Sequence, residues 1–289
     1  MATLAPEATL RPAPRRPWLR RRSAVPGFGV TMGLTITLLS LVVLIPLASL
    51  AIKAAELTPQ TFIDTAFSER AVDAYKLSFG ASLIGATVNS LFGALTAWAL
   101  VRYTFPGKAI VNALVDLPFA LPTAVAGIAL ATLYSRNGWI GALLMPLGIK
   151  VANYPLGVVV ALSFIGLPFV VRTIEPVLRD QSIEVEEAAA SLGASRFQTV
   201  FRVVAPALLP AWLTGFALAF ARAVGEYGSV IFIAGNKPYV SEIAPLLIAI
   251  QLQQFDIAAA SSIAVVMLGV SFVMLFVING IQAWARRTD

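Results

Sequence analysis

The chain contains no cysteine and no histidine. Disulfides, thiol nucleophiles, thiolate metal sites and imidazole acid–base chemistry are all excluded by that pair of absences. Charge is scarce as well. Asp, Glu, Lys and Arg make up 12% of the 289 residues, about half the share of a soluble domain, whereas apolar residues make up 58%. A chain with so little to place in water has lipid as its main solvent, which leaves an integral membrane protein as the class. No Gly-x4-Gly-Lys-Ser/Thr run occurs, and Gly107-Lys108 is followed by Ala109, so there is no phosphate-binding loop for ATP. Energy for uphill work must therefore come from a partner or a gradient. The net charge of +6 does not point to nucleic acid, because the basic residues lie at the flanks of apolar runs.

Runs long enough to cross a bilayer, at about 20 apolar residues each, fall near residues 28–52, 74–101, 109–134, 155–174, 207–233 and 256–284. They are continuous rather than alternating, which predicts an all-α polytopic bundle of six transmembrane helices and not a β-barrel. Arginine and lysine set the orientation. With a cytoplasmic N-terminus, fourteen basic residues lie inside (Arg11, Arg15, Arg16, Arg20, Arg21, Arg22, Arg102, Lys108, Arg172, Arg179, Arg196, Arg202, Arg286 and Arg287). Six lie outside (Lys53, Arg70, Lys76, Arg136, Lys150 and Lys237), and Arg222 remains within a span. Both termini are expected in the cytoplasm, with residues 1–27 a mobile basic cytoplasmic segment before a membrane domain over 28–287. Leu47-Ala48-Ser49-Leu50-Ala51 could pass for a cleavage site, but the preceding span of about 25 residues exceeds a signal core of 7 to 15, so an uncleaved first helix is preferred.

The segment 176–206 carries the densest pattern. Val185, Ala188, Ala189 and Leu192 sit at i, i+3, i+4, i+7, one apolar stripe of a helix, while Glu184, Glu187 and Ser191 share another face. Gly193 is placed to stop that helix, since glycine enters the left-handed conformation without steric cost. Ser195 and Gln198 then form a capping-box pair, and Phe197, Val200, Phe201 and Val204 repeat the stripe up to Pro206. Periodicity alone is met equally by a helical hairpin lying on the membrane surface. The full spacing, Glu187-Ala188-Ala189, Gly193, then Val203, Ala205 and Pro206, resembles Glu-Ala-Ala-x3-Gly-x9-Ile-x-Leu-Pro, the cytoplasmic coupling loop of permease subunits of bacterial ABC importers. The resemblance implies a short helix that seats in a groove of an ATPase subunit, with Glu187, Ala188, Ala189, Gly193, Ser195 and Pro206 as its residues. Val203 and Ala205 replace Ile and Leu, a change in packing detail.

Several residues within the spans are candidates for a path. Ala81, Gly85, Asn89, Gly93 and Ala97 recur every four residues, a face on which another backbone can approach closely; Asn89 is placed either to bond across to a neighbouring helix or to line a path. Pro118 and Pro122, followed by Thr123, remove backbone bonds from the third span, which should bend there and either expose carbonyls to a cavity or simply fit the bundle. Arg222 and Glu226 lie one turn apart in the fifth span, where unpaired charge costs several kcal/mol. Counted from Pro206 at 1.5 Å per residue, Arg222 is roughly 24 Å along the helix, toward the outer half. It is either a guide for an anion or half of a neutralised structural pair.

With these pieces in place, Arg222-Ala223-Val224-Gly225-Glu226-Tyr227-Gly228-Ser229-Val230-Ile231-Phe232-Ile233-Ala234-Gly235-Asn236 makes the resemblance specific. The chain resembles the T-type permease subunit of bacterial sulfate/thiosulfate ABC importers over about residues 25 to 287. Further matching stretches are Arg102-Tyr103-x-Phe105-Pro106-Gly107, Asp116 to Gly127, Pro168 to Thr173 and Phe255-Asp256. The resemblance implies a type I ABC importer fold in the bacterial inner membrane, a W-type permease alongside, two ATPase subunits that hold ATP and Mg below, and a soluble sulfate-binding protein above. The chain itself would hold no cofactor and catalyse nothing, and its outer segments 53–73, 135–154 and 234–255 would receive the binding protein. A molybdate permease shares the coupling loop and a Gly-Glu-Phe-Gly variant of the fifth-span motif; Tyr227 with its continuation favours sulfate. A gradient-driven transporter would not require the bent hairpin. A membrane enzyme would have only Asp116, Glu226 and Arg222 to work with, at different depths.

Overall fold

The computed structural model describes residues 27–285, so the basic segment expected over 1–27 lies, apart from Gly27, outside the described residues, as do Arg286 and Arg287. Of the described residues, those up to Ser49 belong to one compact unit and those from Leu50 onward to a second. All regular structure among the described residues is helical. Among the described residues, five helices are long and apolar enough to cross a membrane, and counting one bent pair as a single span gives a sixth. The bend is the main departure from six simple spans, and its cause is local.

We label the helices α1 Phe28–Ala55, α2 Pro59–Ala66, α3 Glu69–Arg102, α4 Lys108–Ala120, α5 Thr123–Tyr134, α6 Trp139–Leu144 and α7 Pro155–Asp180. They are followed by α8 Ile183–Ser191, α9 Arg196–Val224, α10 Val230–Ile233, α11 Ala244–Gln253 and α12 Ile257–Ala285. Prolines explain most interruptions. Pro122 pushes the residue before it out of the α region, and Leu121 is extended at φ −85°, ψ 136°, which separates α4 from the stretch Thr123–Leu147, begun by α5, by a 116° bend. Pro118, the other expected break, remains inside α4. In α9 and α1 proline is accommodated differently. The Ala205 N–H, just before Pro206, bonds to Val200 O, and the Ile45 N–H, just before Pro46, bonds to Ser40 O. Each is one π-turn, which relieves the clash of the proline ring with the carbonyl four residues back.

α3, α7 and α9 form the centre. The small-residue face of α3 is buried as expected: Ala81, Gly85, Asn89, Gly93 and Ala97 all lie in the core. A Cβ at Gly93 would approach Val170 Cγ1 to 2.8 Å, and one at Gly215 would approach Val170 Cα to 3.0 Å, so the three backbones pack against one another because these positions carry no side chain. The opposite face of α3 exposes Leu83, Ile84, Leu91, Phe92 and Leu95, as a lipid-facing stripe should. Polar bonds stitch the trio and α12 together. Trp212 Nε1 donates to Ser90 O at 2.8 Å, Tyr75 Oη to Ile263 O at 3.2 Å, and Gln282 Nε2 to Leu213 O at 3.1 Å.

The segment 234–255 is not a loose surface loop. It folds into α11, whose Ala244, Leu246 and Leu247 are buried, and the Ala244 N–H donates to Ser78 Oγ at 2.8 Å. Just before it, Glu242 is buried and takes both Arg70 Nε and Arg70 Nη2 at 2.7 Å, tying α11 to the start of α3.

Candidate functional site

The 176–206 region is shorter as a loop than expected. α7 runs on through Pro176 to Asp180, and Pro206 lies inside α9, so only residues 181–195 lie outside the two long helices. The second stripe is accordingly the first part of α9 rather than a separate short helix.

α8 itself is built by local rules. Ser182 Oγ accepts from the Glu184 N–H at 3.2 Å, and Glu184 and Glu186 in the first turn suit the positive end of the helix. At its end, the Gly193 N–H bonds to Ala190 O at 2.9 Å and the Ala194 N–H to Ala189 O at 3.0 Å, a Schellman stop with Gly193 at φ +86°. Ser195 then caps α9: its Oγ accepts from the Gln198 N–H at 3.3 Å and its N–H donates to Gln198 Oε1 at 2.8 Å. The bend is thus rigid, fixed by backbone bonds on both sides.

The hairpin presents apolar surface outward. Leu192 is 90% exposed and Phe197 70%, with Ile183, Val185 and Phe201 also exposed, and the rings of Phe197 and Phe201 lie 4.3 Å apart. Glu187 and Ala188 are exposed beside them, and Ala189 is half-buried. Exposed apolar side chains grouped on a structured turn mark an interaction surface.

What holds α8 to the bundle is a residue pair not foreseen from the sequence. Arg102, at the last turn of α3, meets Glu186 at 2.6 Å, with 10% and 20% of the two side chains exposed, and its Nη2 also donates to Gln181 O at 3.2 Å. The guanidinium lies 5.9 Å from the Trp98 ring centre. Because 84 residues separate the partners, no local spacing could have revealed the pair. A second unforeseen cluster lies close by in sequence: Arg172 bonds Asp116 through Nε at 2.8 Å and Nη2 at 2.6 Å, reaches Asn112, and shares buried Glu175 with Arg179. Asp116, a candidate acid on the enzyme reading, is therefore the anchor between α4 and α7.

The intramembrane candidates fall into two places. Asn89 is 3% exposed, with its Nδ2 2.3 Å from where a Cβ on Gly166 would stand, so it is wedged between α3 and α7. Thr123 lies instead against the segment that carries Glu226. A Cβ on Gly228 would strike Thr123 Oγ1 at 2.3 Å, and one on Gly127 would lie 2.3 Å from Ser229 O, so the start of α5 packs directly on the segment 225–229 between α9 and α10. Glu226 is outside the helix, not one turn along it. Its Oε2 pairs with Arg222 Nη1 at 2.6 Å, and its Oε1 accepts from the Ser229 N–H at 2.8 Å and Oγ at 3.0 Å. The carboxylate is 3% exposed while the Arg222 side chain is 34% exposed. Two interrupted helices meeting around a bonded ion pair are tolerated in lipid only where protein or water satisfies the freed backbone. Pro118 and Pro122 both precede this meeting point on the chain.

An all-helical bundle with interrupted apolar helices and an outward-facing hairpin of exposed apolar side chains describes a polytopic membrane subunit with a surface for a partner. The chain belongs to the family described as binding-protein-dependent transport system inner membrane component, which matches residues 75–288. It is 49% identical over 269 residues to the sulfate transport system permease protein CysT of Synechocystis sp., covering 93% of this chain and 94% of the relative. The CysT protein of Escherichia coli is 45% identical over 262 residues, 91% of this chain and 95% of that one. Among solved structures, a bacterial alginate ABC transporter in complex with its periplasmic protein superposes with TM-score 0.73 at 15% identity, covering 88% of this chain and 92% of that chain. At that identity the likeness speaks for the fold.

Proposed function

We propose that this chain is one of the two permease subunits of an ATP-driven importer that carries sulfate or thiosulfate across the bacterial inner membrane. Sulfate is favoured by the CysT relatives, which match over 86 to 93% of this chain at 45 to 50% identity. The observation that carries the coupling role is the exposed hairpin of α8, held in one orientation by the Schellman stop at Gly193, the cap at Ser195 and the Arg102–Glu186 pair. A surface with Leu192 and Phe197 bare, yet so firmly fixed, suits a groove on an ATPase subunit. In this reading ATP and Mg are held by two partner ATPases, a W-type permease completes the pore, and a soluble sulfate-binding protein delivers the anion on the far side.

The three attachments of α8 say how motion would pass inward. It leads into α9 through the rigid bend, continues from α7 through Gln181, and is pinned to α3 by Arg102. A push on α8 therefore moves the three central helices as a unit, and the broken segments 121–122 and 225–229 are where that unit can hinge. Arg222, half-exposed beside a buried Glu226, lies at the hinge as a positive group with capacity for an anion. Movement of the substrate is noncovalent throughout.

The test is a single cysteine at Leu192 in this otherwise cysteine-free chain, paired with cysteines on the ATPase groove. Cross-linking to the ATPase that blocks sulfate uptake and is reversed by reductant is expected. Leu192→Cys labelled by an impermeant maleimide in intact cells would place the hairpin outside and end the coupling role.

A further inference from the structure

At the end of the bundle remote from α8 lies a cavity of about 370 Å³ formed by the segment 134–154 and Lys237. Its distance from the coupling hairpin follows from topology: Tyr154 caps the first turn of α7 and α8 follows the last, and 26 residues at 1.5 Å each separate them by roughly 39 Å.

Three of the lining residues are basic, Arg136, Lys150 and Lys237, and none is acidic. That imbalance is selective. Of the six basic residues that the sequence pattern puts on this side, Lys53, Arg70 and Lys76 each meet a carboxylate, on Glu56, Glu242 and Asp73, at 2.9 Å or less. Among the described residues no carboxylate lies within 4 Å of the other three, and those three converge on one concavity. The ammonium groups of Lys150 and Lys237 both face the Tyr154 ring, at 5.6 and 5.2 Å from its centre. A ring face attracts each cation, but gathering both at one ring works against their mutual repulsion, a cost that an anion bound in the cavity would lower.

The walls are fixed. The Asn153 N–H donates to Ile233 O at 2.8 Å, and Asn153 is left-handed at φ 66°. Gly235, also left-handed, sits so close to Asn153 that a Cβ would approach it to 2.7 Å. The Ala234-Gly235-Asn236 turn at the end of the fifth-span motif, which the coupling and hinge roles do not use, thus seats Lys237 over Tyr154.

The geometry points to a capture site in this cavity for a hydrated tetrahedral oxyanion dianion, the form in which sulfate would arrive. The inference rests on the proposed import of such anions and adds an entry site that precedes the hinge at Arg222. The volume exceeds that of a bare ion severalfold, each water taking about 30 Å³, so the ion is held with its water by diffuse positive charge and released readily.

The test uses the assembled transporter with Ala152→Cys, and independently Ser135→Cys, as reporters lining the cavity. Each is modified with a sulfonate-bearing and a trimethylammonium-bearing methanethiosulfonate, and the label is read on this chain after the subunits are separated. The anionic reagent should react about tenfold faster, relative to a free thiol, as expected for a cleft of one sign. Millimolar sulfate should slow it several-fold when chloride holds ionic strength constant, which removes screening as the cause. Lys150→Gln with Lys237→Gln should abolish both effects. Absence of protection by sulfate, thiosulfate and molybdate alike, in both reporters, overturns the site. Protection by the soluble binding protein alone, whatever the anion, also overturns it and makes the cavity a seat for partner carboxylates. Labelled uptake is measured in parallel: a transporter that takes up molybdate but not sulfate ends the sulfate reading, while protection by molybdate still upholds the site.

Discussion

Breaking the Arg102–Glu186 pair should loosen α8 without unfolding the bundle. Removing one member of a buried ion pair costs roughly 3–5 kcal/mol, because the other charge is left without a partner. Here the side chains keep 10% and 20% of their exposure, so water can reach the survivor, and we take about 2–3 kcal/mol, near the upper range for a hydrogen bond to a charged group. At about 1.4 kcal/mol per factor of ten, local opening of α8 should rise roughly 30- to 140-fold. Hydrogen exchange at the amides of residues 182–191 in the nucleotide-free transporter measures that opening. Arg102→Gln and Glu186→Gln should each accelerate exchange there and leave the amides of α7 unchanged. The double variant should open less than the sum of the singles, by more than about 0.5 kcal/mol, since neither charge is then stranded. Unchanged exchange in both single variants, or strict additivity in the double, would refute the clamp. ATP hydrolysis by the loosened transporter should continue while sulfate uptake per ATP falls.

At Gly193 the constraint is conformational rather than spatial, since an added Cβ would meet nothing within 4 Å. Gly193→Ala should cost about 1–2 kcal/mol and Gly193→Asn less, because asparagine tolerates the left-handed region; equal loss of coupled transport in both would contradict this. Gly127→Ala should prevent a stable fold, because its Cβ would stand 2.3 Å from Ser229 O, whereas Gly80→Ala meets nothing and should gain up to about 1 kcal/mol; thermal unfolding in detergent compares them. Glu226→Gln strands Arg222 but keeps an acceptor for Ser229, so it should assemble poorly and recover when Arg222→Gln is added. If that double variant assembles and also takes up sulfate normally, Arg222 has no role toward the anion.

Local features were legible because they depend on neighbours in sequence. The Ser195 capping box, the left-handed Gly193 and the buried Ala81 to Ala97 face each follow from spacing of three or four residues, and each is present. The break at Pro122 was also marked, though not its 116° size, which depends on how α5 packs on Gly228 and Ser229. Spacing misled at Glu226. Four residues after Arg222 reads as one helical turn, but the helix ends at Val224 and the carboxylate reaches back from the non-helical segment. Arg102 with Glu186, Arg172 with Asp116, and Arg70 with Glu242 join residues 56 to 172 apart, and charge at the end of an apolar run looks the same whether it faces water or a distant partner. The partly buried α11 was hidden for a related reason, since a ten-residue helix is too short to count as a span yet long enough to pack beside α3.

On the proposed function, this chain passes sulfate only when a partner ATPase drives it. Proteoliposomes holding both permeases and both ATPases, with the binding protein on the substrate side and nucleotide on the other, test it most directly through uptake of labelled sulfate. Uptake that requires hydrolysable ATP, stops with a non-hydrolysable analogue, and is uncoupled by Arg102→Gln is the predicted result. Uptake that persists without nucleotide and follows an imposed proton or sodium gradient would contradict it.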